Sequence, residues 1–210
     1  MPQTLIQHEA DIVSDHTIVD WCNFMCEECE IWIKNNPDHI GRLDANGQPT
    51  VVEIDESKYF HRKYHRGQWT EGHWVFGEVE RGTGKCFLVK VPDRKARTLE
   101  PLTVQHILPG SHIMSDGWAS YANIANIQHG IYMHSVVIHE QHFVDPNDLD
   151  IHTQTVENLW MRAKRKLRRQ YGTSRELFPS YLHEFLFWNK FRNEDMFCHF
   201  LATVADNYPL

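Results

Sequence analysis

A change of rhythm near residue 92 constrains this chain more than any other feature. Before it come three short runs rich in β-branched and aromatic residues: VVEIDESKYF (51–60), HWVFGEVE (73–80) and KCFLVKV (85–91). Such runs read as strands, and the tetrapeptide RGTG (81–84) is a natural hairpin connection between the last two. After it, helical and strand-like segments alternate. A helix is expected over 95–107, with Pro101 near its first turn, then a short buried strand over 111–115 that ends at Asp116. A helix over 118–126 and a strand over 131–138 follow. Helices over 154–171, 174–192 and 194–206 finish the chain, the middle one with Tyr181, Phe185, Trp188 and Phe191 on its apolar face. A strand meander followed by alternating helices and strands predicts an α/β fold, one central mixed sheet flanked by helices.

Ahead of the first strand, residues 15–35 place Ile18, Trp21, Cys22, Met25, Cys29 and Trp32 at helical spacing, with Ser14 or Asp15 near the N-cap. The stretch NNPDHIGRLDANGQPT reads as a linker or exposed loop. The expected organisation is an acidic helical segment and linker over 1–49 and a catalytic-type domain over 50–210. An apolar fraction of 41% and seven tryptophans suit a packed globular protein. No apolar run reaches the length of a membrane span, and the N-terminus lacks a basic segment followed by an apolar one. Five cysteines without framework spacing suit a reducing compartment. The expectation is a soluble intracellular protein with no membrane partner.

The net charge of −7 is unevenly placed. Residues 1–49 hold nine of the 28 acidic residues and two of the 21 basic ones, so the remainder is neutral, with nineteen of each. Within that remainder RAKRKLRR (162–169) carries six cations in eight positions. The run fits phosphate contacts, a solvated helix face and a nuclear-import signal equally.

Three acidic residues stand in distinctive settings: Asp55 inside VVEIDES, Asp116 in HIMSDGWASY and Glu157 in HTQTVENLWMRAKRK. A carboxylate within an apolar strand is costly to bury unless a cation or donors satisfy it. Each also has a plainer reading. Asp55 could be a solvent-facing strand acid, with Glu53 on the same face by alternation. Asp116 before Gly117 could be a turn former, and Glu157 an acid favoured by a helix N-terminus. Along the helix expected over 154–171, Glu157, Trp160 or Met161, Lys164 and Arg168 recur on one stripe, an acid and then cations that could follow a polyanion. Carboxylates gathered from separate elements are how proteins hold paired magnesium ions against a phosphodiester.

The strings VVEIDESKYF, SDGWASY, YMHSVVIHEQHFVDP and HTQTVENLWMRAKR, in that order, resemble the Merlin-type DDE transposases and the related ISXO2-like bacterial insertion-sequence transposases. The resemblance runs from residue 50 to about 195. It implies an RNase H-like, retroviral integrase-type core with Asp55, Asp116 and Glu157 as catalytic, metal-binding triad, holding two Mg2+ ions, for which Mn2+ substitutes. The separations are 61 and 41 residues. It further implies metal-dependent DNA cleavage and strand transfer, with transposon ends and target DNA as partners, and homo-oligomer formation on paired ends. Lys164, seven residues after the third acid, is expected on DNA, with Arg165 and Arg168 beside it. A nuclear location is expected, or a cytoplasmic one for a bacterial chain.

His134, His139, His142 and His152 lead into Glu157 at spacings that match no compact zinc module. His139 and His152 are expected to support the metal ligands or touch substrate, the other two to be structural. Asn158 is a third supporting candidate, because about 100° of helix rotation turns it away from a metal on Glu157. Cys22, Cys26 and Cys29 have the C-x3-C-x2-C spacing of radical-SAM clusters, but they fall at helical i, i+4, i+7 positions, and small buried residues explain them.

Relatives of this kind carry an N-terminal zinc- and DNA-binding region, and none is visible here. Three functions therefore stand side by side: a strand-transfer enzyme or a truncated or domesticated copy of one, a non-catalytic DNA- or protein-binding descendant, and an RNase H-like nuclease of other substrate. Three retained acids favour the first, and the acidic N-terminus favours the second.

Overall fold

A computed structural model describes residues 3–12, 14–60, 72–137, 152–168 and 176–209. Helices α1 (Gln3–Ala10) and α2 (Asp15–Asn35) precede strands β1 (Val51–Tyr59), β2 (His73–Glu80) and β3 (Cys86–Val91). Then come α3 (Ala96–His106), β4 (His112–Asp116), two 3-10 turns, β5 (Met133–Val137), α4 (Gln154–Arg168), α5 (Phe178–Lys190) and α6 (Met196–Asn207). The chain forms two compact units, one of residues 38–161 and one of 1–37 with 162–210. Helix α4 contributes its first half to the sheet unit and its second to the helical unit. No described helix is long and apolar enough to cross a membrane.

The sheet order is β3-β2-β1-β4-β5. The first three strands form an antiparallel meander, and β4 and β5 join parallel to β1. This five-stranded mixed sheet with helices is the α/β architecture that the order of elements implied, and it agrees with the RNase H-like core that the family resemblance implied. Antiparallel neighbours need only a hairpin, whereas parallel ones need crossovers, which α3 and the 3-10 segment supply.

Strand β1 is central, so both of its faces are covered. One face presents Val52 and Ile54, which join Phe76 and Val91 from the meander, Ile113 from β4 and Leu99 from α3 in the main hydrophobic core. Ile107, Tyr121, Ile124 and Tyr132 complete it. Fully burying a side chain of this size contributes about 1.5–3 kcal/mol, so this cluster dominates the unit's stability. Buried polar groups also lie on this face, among them Glu78, which is 3.2 Å from Nδ1 of His106.

The pleat sends Glu53 and Asp55 to the opposite face. Glu53 is fully buried. Its Oε1 accepts from Arg81 Nε at 2.5 Å and from Thr155 Oγ1 at 2.7 Å, and its Oε2 accepts from the Val156 backbone N–H at 2.9 Å. Arg81 Nη2 also donates to the carbonyl of His152 at 2.6 Å. One carboxylate thus ties the β2–β3 hairpin, the 152–153 segment and the first turn of α4 to the central strand. Helix N-termini leave N–H groups without intrahelical partners, and Glu53 takes one of them with charge of the favourable sign.

Residues 36–49 are mostly exposed, as expected of a loop, except at two buried positions. Ile40 is fully buried and exchanges backbone hydrogen bonds with His106 and Leu108. Gly41 at φ +76° donates its N–H to Glu80 Oε2 at 2.6 Å, and a Cβ there would stand 2.0 Å from Ser111 Oγ. A loop composition concealed one apolar anchor and one close backbone approach. The expected helix over 118–126 is instead two 3-10 turns, Ala119–Tyr121 and Ile124–His129, with non-helical backbone at Ile127 and Gln128. Tyr121, Ile124 and Ile127 are all buried here, at a three-residue spacing that suits 3-10 turns against a core.

In the helical unit α2 packs against α5 and α6, with Cys29, Phe187 and Phe191 buried and Trp32, Ile33, Met196 and Phe200 around them. The Trp32 ring meets those of Phe187 and Phe191 edge-on. The apolar face expected on α5 is corrected. Trp188 is half exposed, while Phe178, Leu182, Leu186 and Phe187 are buried. Helix α5 buries more than one face, so a single stripe did not describe it.

Replacing Glu53 with Ala should strand Arg81 and uncap α4, at a cost of about 3–5 kcal/mol, read as a lower urea midpoint. Gly77 faces the Trp160 indole, and a Cβ at residue 77 would lie 2.4 Å from that ring. Gly77→Ala should therefore cost about 1–3 kcal/mol as an overpacking change, measurable in the same titration.

Candidate catalytic site

Asp55 lies in the middle of β1 and is half-buried. Parallel pairing aligns Val52 with Ile113 and Glu53 with Met114. The same register carried two residues further brings Asp55 level with Asp116 at the end of β4. The two acids sense one another. Burial pushes the Asp55 carboxyl up to about 7, opposed by the Trp160 N–H, with the neighbouring Glu56 and Asp116 carboxylates raising it further. Trp160 Nε1 donates to Asp55 Oδ2 at 2.8 Å. An Asp116 carboxylate oxygen accepts the Trp118 backbone N–H at 2.9 Å, so this residue also turns the chain out of β4.

Glu157 sits in the first turn of α4, exposed. Among the described residues no three His, Cys, Asp or Glu side chains converge closely enough to hold a metal. Asp55 and Asp116 are brought together. Glu157 is carried on the helix whose neighbouring residues Thr155, Val156 and Trp160 grip Glu53 and Asp55.

The acid next in sequence has a different fate. Glu56 points to the other face, where it accepts from Arg94 Nη1 at 2.8 Å and from the Tyr121 hydroxyl. The Arg94 guanidinium lies between the rings of Trp74 and Trp118, 4.1 and 4.2 Å from their centroids. Sequence reasoning passed over Glu53, Glu56, Arg94 and the Trp160 hydrogen bond. Only Glu53 left a signal, its alternation with Asp55. The others depend on contacts 38 to 105 residues apart.

The stripe expected on α4 needs one correction. Trp160 is buried at 6% exposure, whereas Met161 is 60% exposed, so the outward stripe runs Glu157, Met161, Lys164, Arg168. The indole is drawn inward because it packs over Gly77 and reaches Asp55. The basic run also divides. Arg162 donates to Asn189 Oδ1 at 2.6 Å, and Lys166 pairs with Glu184 at 2.8 Å beneath the Trp188 ring. Both fasten α4 to α5. Arg165 and Arg168 are exposed, and Lys164 is half-buried.

His152 lies against the anchor, with Nδ1 3.4 Å from Glu53 Oε1 and 3.0 Å from Arg81 Nη2. His134 Nε2 is 2.9 Å from Ser115 Oγ across the β4–β5 pair. His139 and His142 fall outside the described residues, and Asn158 is exposed beside Glu157. Cys26 and Cys29 are buried thiols and Cys22 is exposed, all three free. Cys26 Sγ lies 3.6 Å from Glu184 Oε2.

Comparison with curated protein sequences finds no match. Among solved structures, the HTLV-2 integrase catalytic core domain in complex with magnesium (dimeric form) is similar at 14% identity and a TM-score of 0.42, covering 66% of this chain and 83% of that one. The catalytic core domain of BIV integrase is similar at 12% identity and 0.44, covering 75% and 97%. A simian T-cell lymphotropic virus intasome in complex with PP2A regulatory subunit B56 gamma is similar at 15% and 0.44, covering 73% and 54%. The family model of the ISXO2-like transposase domain matches residues 41–189. That span takes in the whole sheet, both aspartates and the helix bearing Glu157, and the chain belongs to the ISXO2-like transposase domain family.

Proposed function

We propose that this protein is a DDE-type strand-transfer enzyme of DNA, with Asp55, Asp116 and Glu157 as its metal-binding carboxylates. The observation that carries the reading is the Asp55–Asp116 pair. Two acids come from adjacent parallel strands of a transposase-family sheet, and Asp55, largely desolvated, is held close enough to Asp116 that the neighbouring carboxylate adds to the rise of its own pKa. Such a site is short of positive charge, and divalent cations bind oxygen donors of this kind. The residues therefore fit Mg2+ or Mn2+. When bound, the ions supply activation of a water or 3′-hydroxyl oxygen and stabilisation of the leaving oxygen.

The chain's own groups do the rest. Glu53 fixes the start of α4 on the sheet, so Glu157 would join the aspartates from a helix already in place. Lys164, Arg165 and Arg168 would neutralise phosphates along the outward stripe of the same helix. Positioning and electrostatics, not a covalent enzyme intermediate, would account for the rate. A DNA partner and an assembly of several copies belong to this reading through membership of the transposase-domain family. A DNA-binding descendant without chemistry is the second reading. It is favoured by the exposed Glu157 and by the lack, among the described residues, of three converged ligands.

Manganese should raise the melting temperature of the wild-type chain, and this rise should vanish in Asp55→Asn and Asp116→Asn. At a free concentration one hundred times Kd the stabilisation is about 2.7 kcal/mol. A shift indifferent to both substitutions would leave the second reading in front.

Without metal the pH dependence has a definite sign. Asp55 holds its proton up to about pH 7 in the folded chain and to about 4 when unfolded. Its contribution to stability is complete below pH 4 and is lost as pH rises through 7. In chelator, Asp55→Asn should thus be more stable than wild type at pH 8, with the gap closing towards pH 4, as denaturant midpoints would record.

Neutralising Arg165 and Arg168 together should weaken duplex binding at all sequences. It should also reduce the slope of log K against log salt by about 1.8, read by fluorescence anisotropy across a salt series.

A further inference from the structure

We propose that Trp160 is a positioning residue for the metal site, its indole N–H fixing which oxygen of Asp55 is offered to the cation. This rests on the metal-site reading above. The indole donates to Oδ2 at 2.8 Å across 105 residues of sequence. That hydrogen bond occupies Oδ2 and, beside the Glu56 backbone N–H that also donates to this carboxylate, restricts its rotation about the last bond and so the oxygen it presents to a ligand.

The seat for the ring is built into the sheet. Gly77 is the cross-strand partner of Asp55, and the ring atoms Cη2 and Cζ2 occupy the volume a side chain there would take, 2.4 and 2.5 Å from the site of a Cβ. Tyr59 meets the ring edge-on at 6.1 Å. The indole is 6% exposed, so the hydrogen bond is screened little by water.

A second contact makes the arrangement a clamp. Glu53 and Asp55 are neighbours on one face of β1. Glu53 accepts from Thr155 and Val156, and Asp55 accepts from Trp160 a little over one turn later. Two attachments along one helix fix its rotation as well as its position, and Glu157 lies between them. The indole therefore acts on both ends of the site: on the oxygen of Asp55 directly, and on Glu157 through the helix. Groups that orient ligand carboxylates in this way are worth roughly ten- to a hundredfold in metal affinity.

The test compares wild type, Trp160→Phe, and a chain carrying 3-benzothienylalanine at position 160, which keeps the bicyclic shape and lacks the N–H. Mn2+ affinity is measured by titration calorimetry on the full chain, and the melting temperature is recorded in EDTA. The expected result is a roughly ten- to a hundredfold loss of Mn2+ affinity in both variants, with the benzothienyl chain melting close to wild type in EDTA. A benzothienyl chain that binds Mn2+ as wild type does would overturn the proposal and leave Trp160 as packing alone, whatever happens to the phenylalanine variant. Failure of the wild-type chain itself to bind Mn2+ would instead sink the metal-site reading, and this inference with it.

Discussion

The sheet unit depends on one buried charge. Glu53 has no access to solvent, and an isolated carboxylate there would be prohibitively costly. It is tolerated because three donors from two elements converge on it: Arg81 from the β2–β3 hairpin, and the Thr155 hydroxyl and Val156 N–H at the start of α4. A buried ion pair of this kind is weak evidence for net stability, since an apolar replacement can be as stable. What it fixes is register. A helix held only by apolar contacts could slide or rotate with little penalty, whereas one whose first turn must satisfy a fixed carboxylate has one position.

The consequences follow along β1. Glu53, Asp55 and Glu56 stand almost side by side in sequence, yet the pleat gives them three different surroundings. Glu53 anchors a helix, and Asp55 faces Asp116 under the Trp160 indole. Glu56 turns to the other face, to Arg94 and Tyr121. The two outer acids are compensated by cations or several donors. Asp55 is desolvated and has two acidic neighbours against two neutral donors, the Trp160 indole and the Glu56 backbone N–H, which is why its proton is held so far above the usual carboxylate range. Such an imbalance is what a cation would relieve, and perturbed groups of this kind cluster at functional sites.

The same division of labour appears within the basic run. Six cations in eight positions look uniform in sequence, but a helix distributes them around its axis. Arg162 and Lys166, four apart, point to α5 and are consumed by Asn189, Glu184 and two aromatic rings. Arg165 and Arg168 point outward. The usable positive charge is therefore smaller than the composition implies, and it lies on the stripe that begins with Glu157.

Much of the architecture was legible because it depends on local pattern. Alternation in β1 and β2, the RGTG hairpin, and helical spacing in α2 and α4 are properties of a few consecutive residues, and the order of those elements is enough for an α/β fold with one central sheet; the RNase H-like core came from the family resemblance. The 3-10 turns after Asp116, the buried Ile40 in a loop-like stretch and the several buried faces of α5 were not legible. Each is set by what packs against it. The sequence by itself determined which strands form, that Asp55 and Glu53 share a face, and that Glu157 opens a helix. Only the tertiary structure decided that Asp55 meets Asp116, that Glu53 is an anchor, and that Trp160 turns inward to Asp55. The reason is physical: periodicity assigns a side chain to a face, but its charge, partner and burial are fixed by residues far away in the chain.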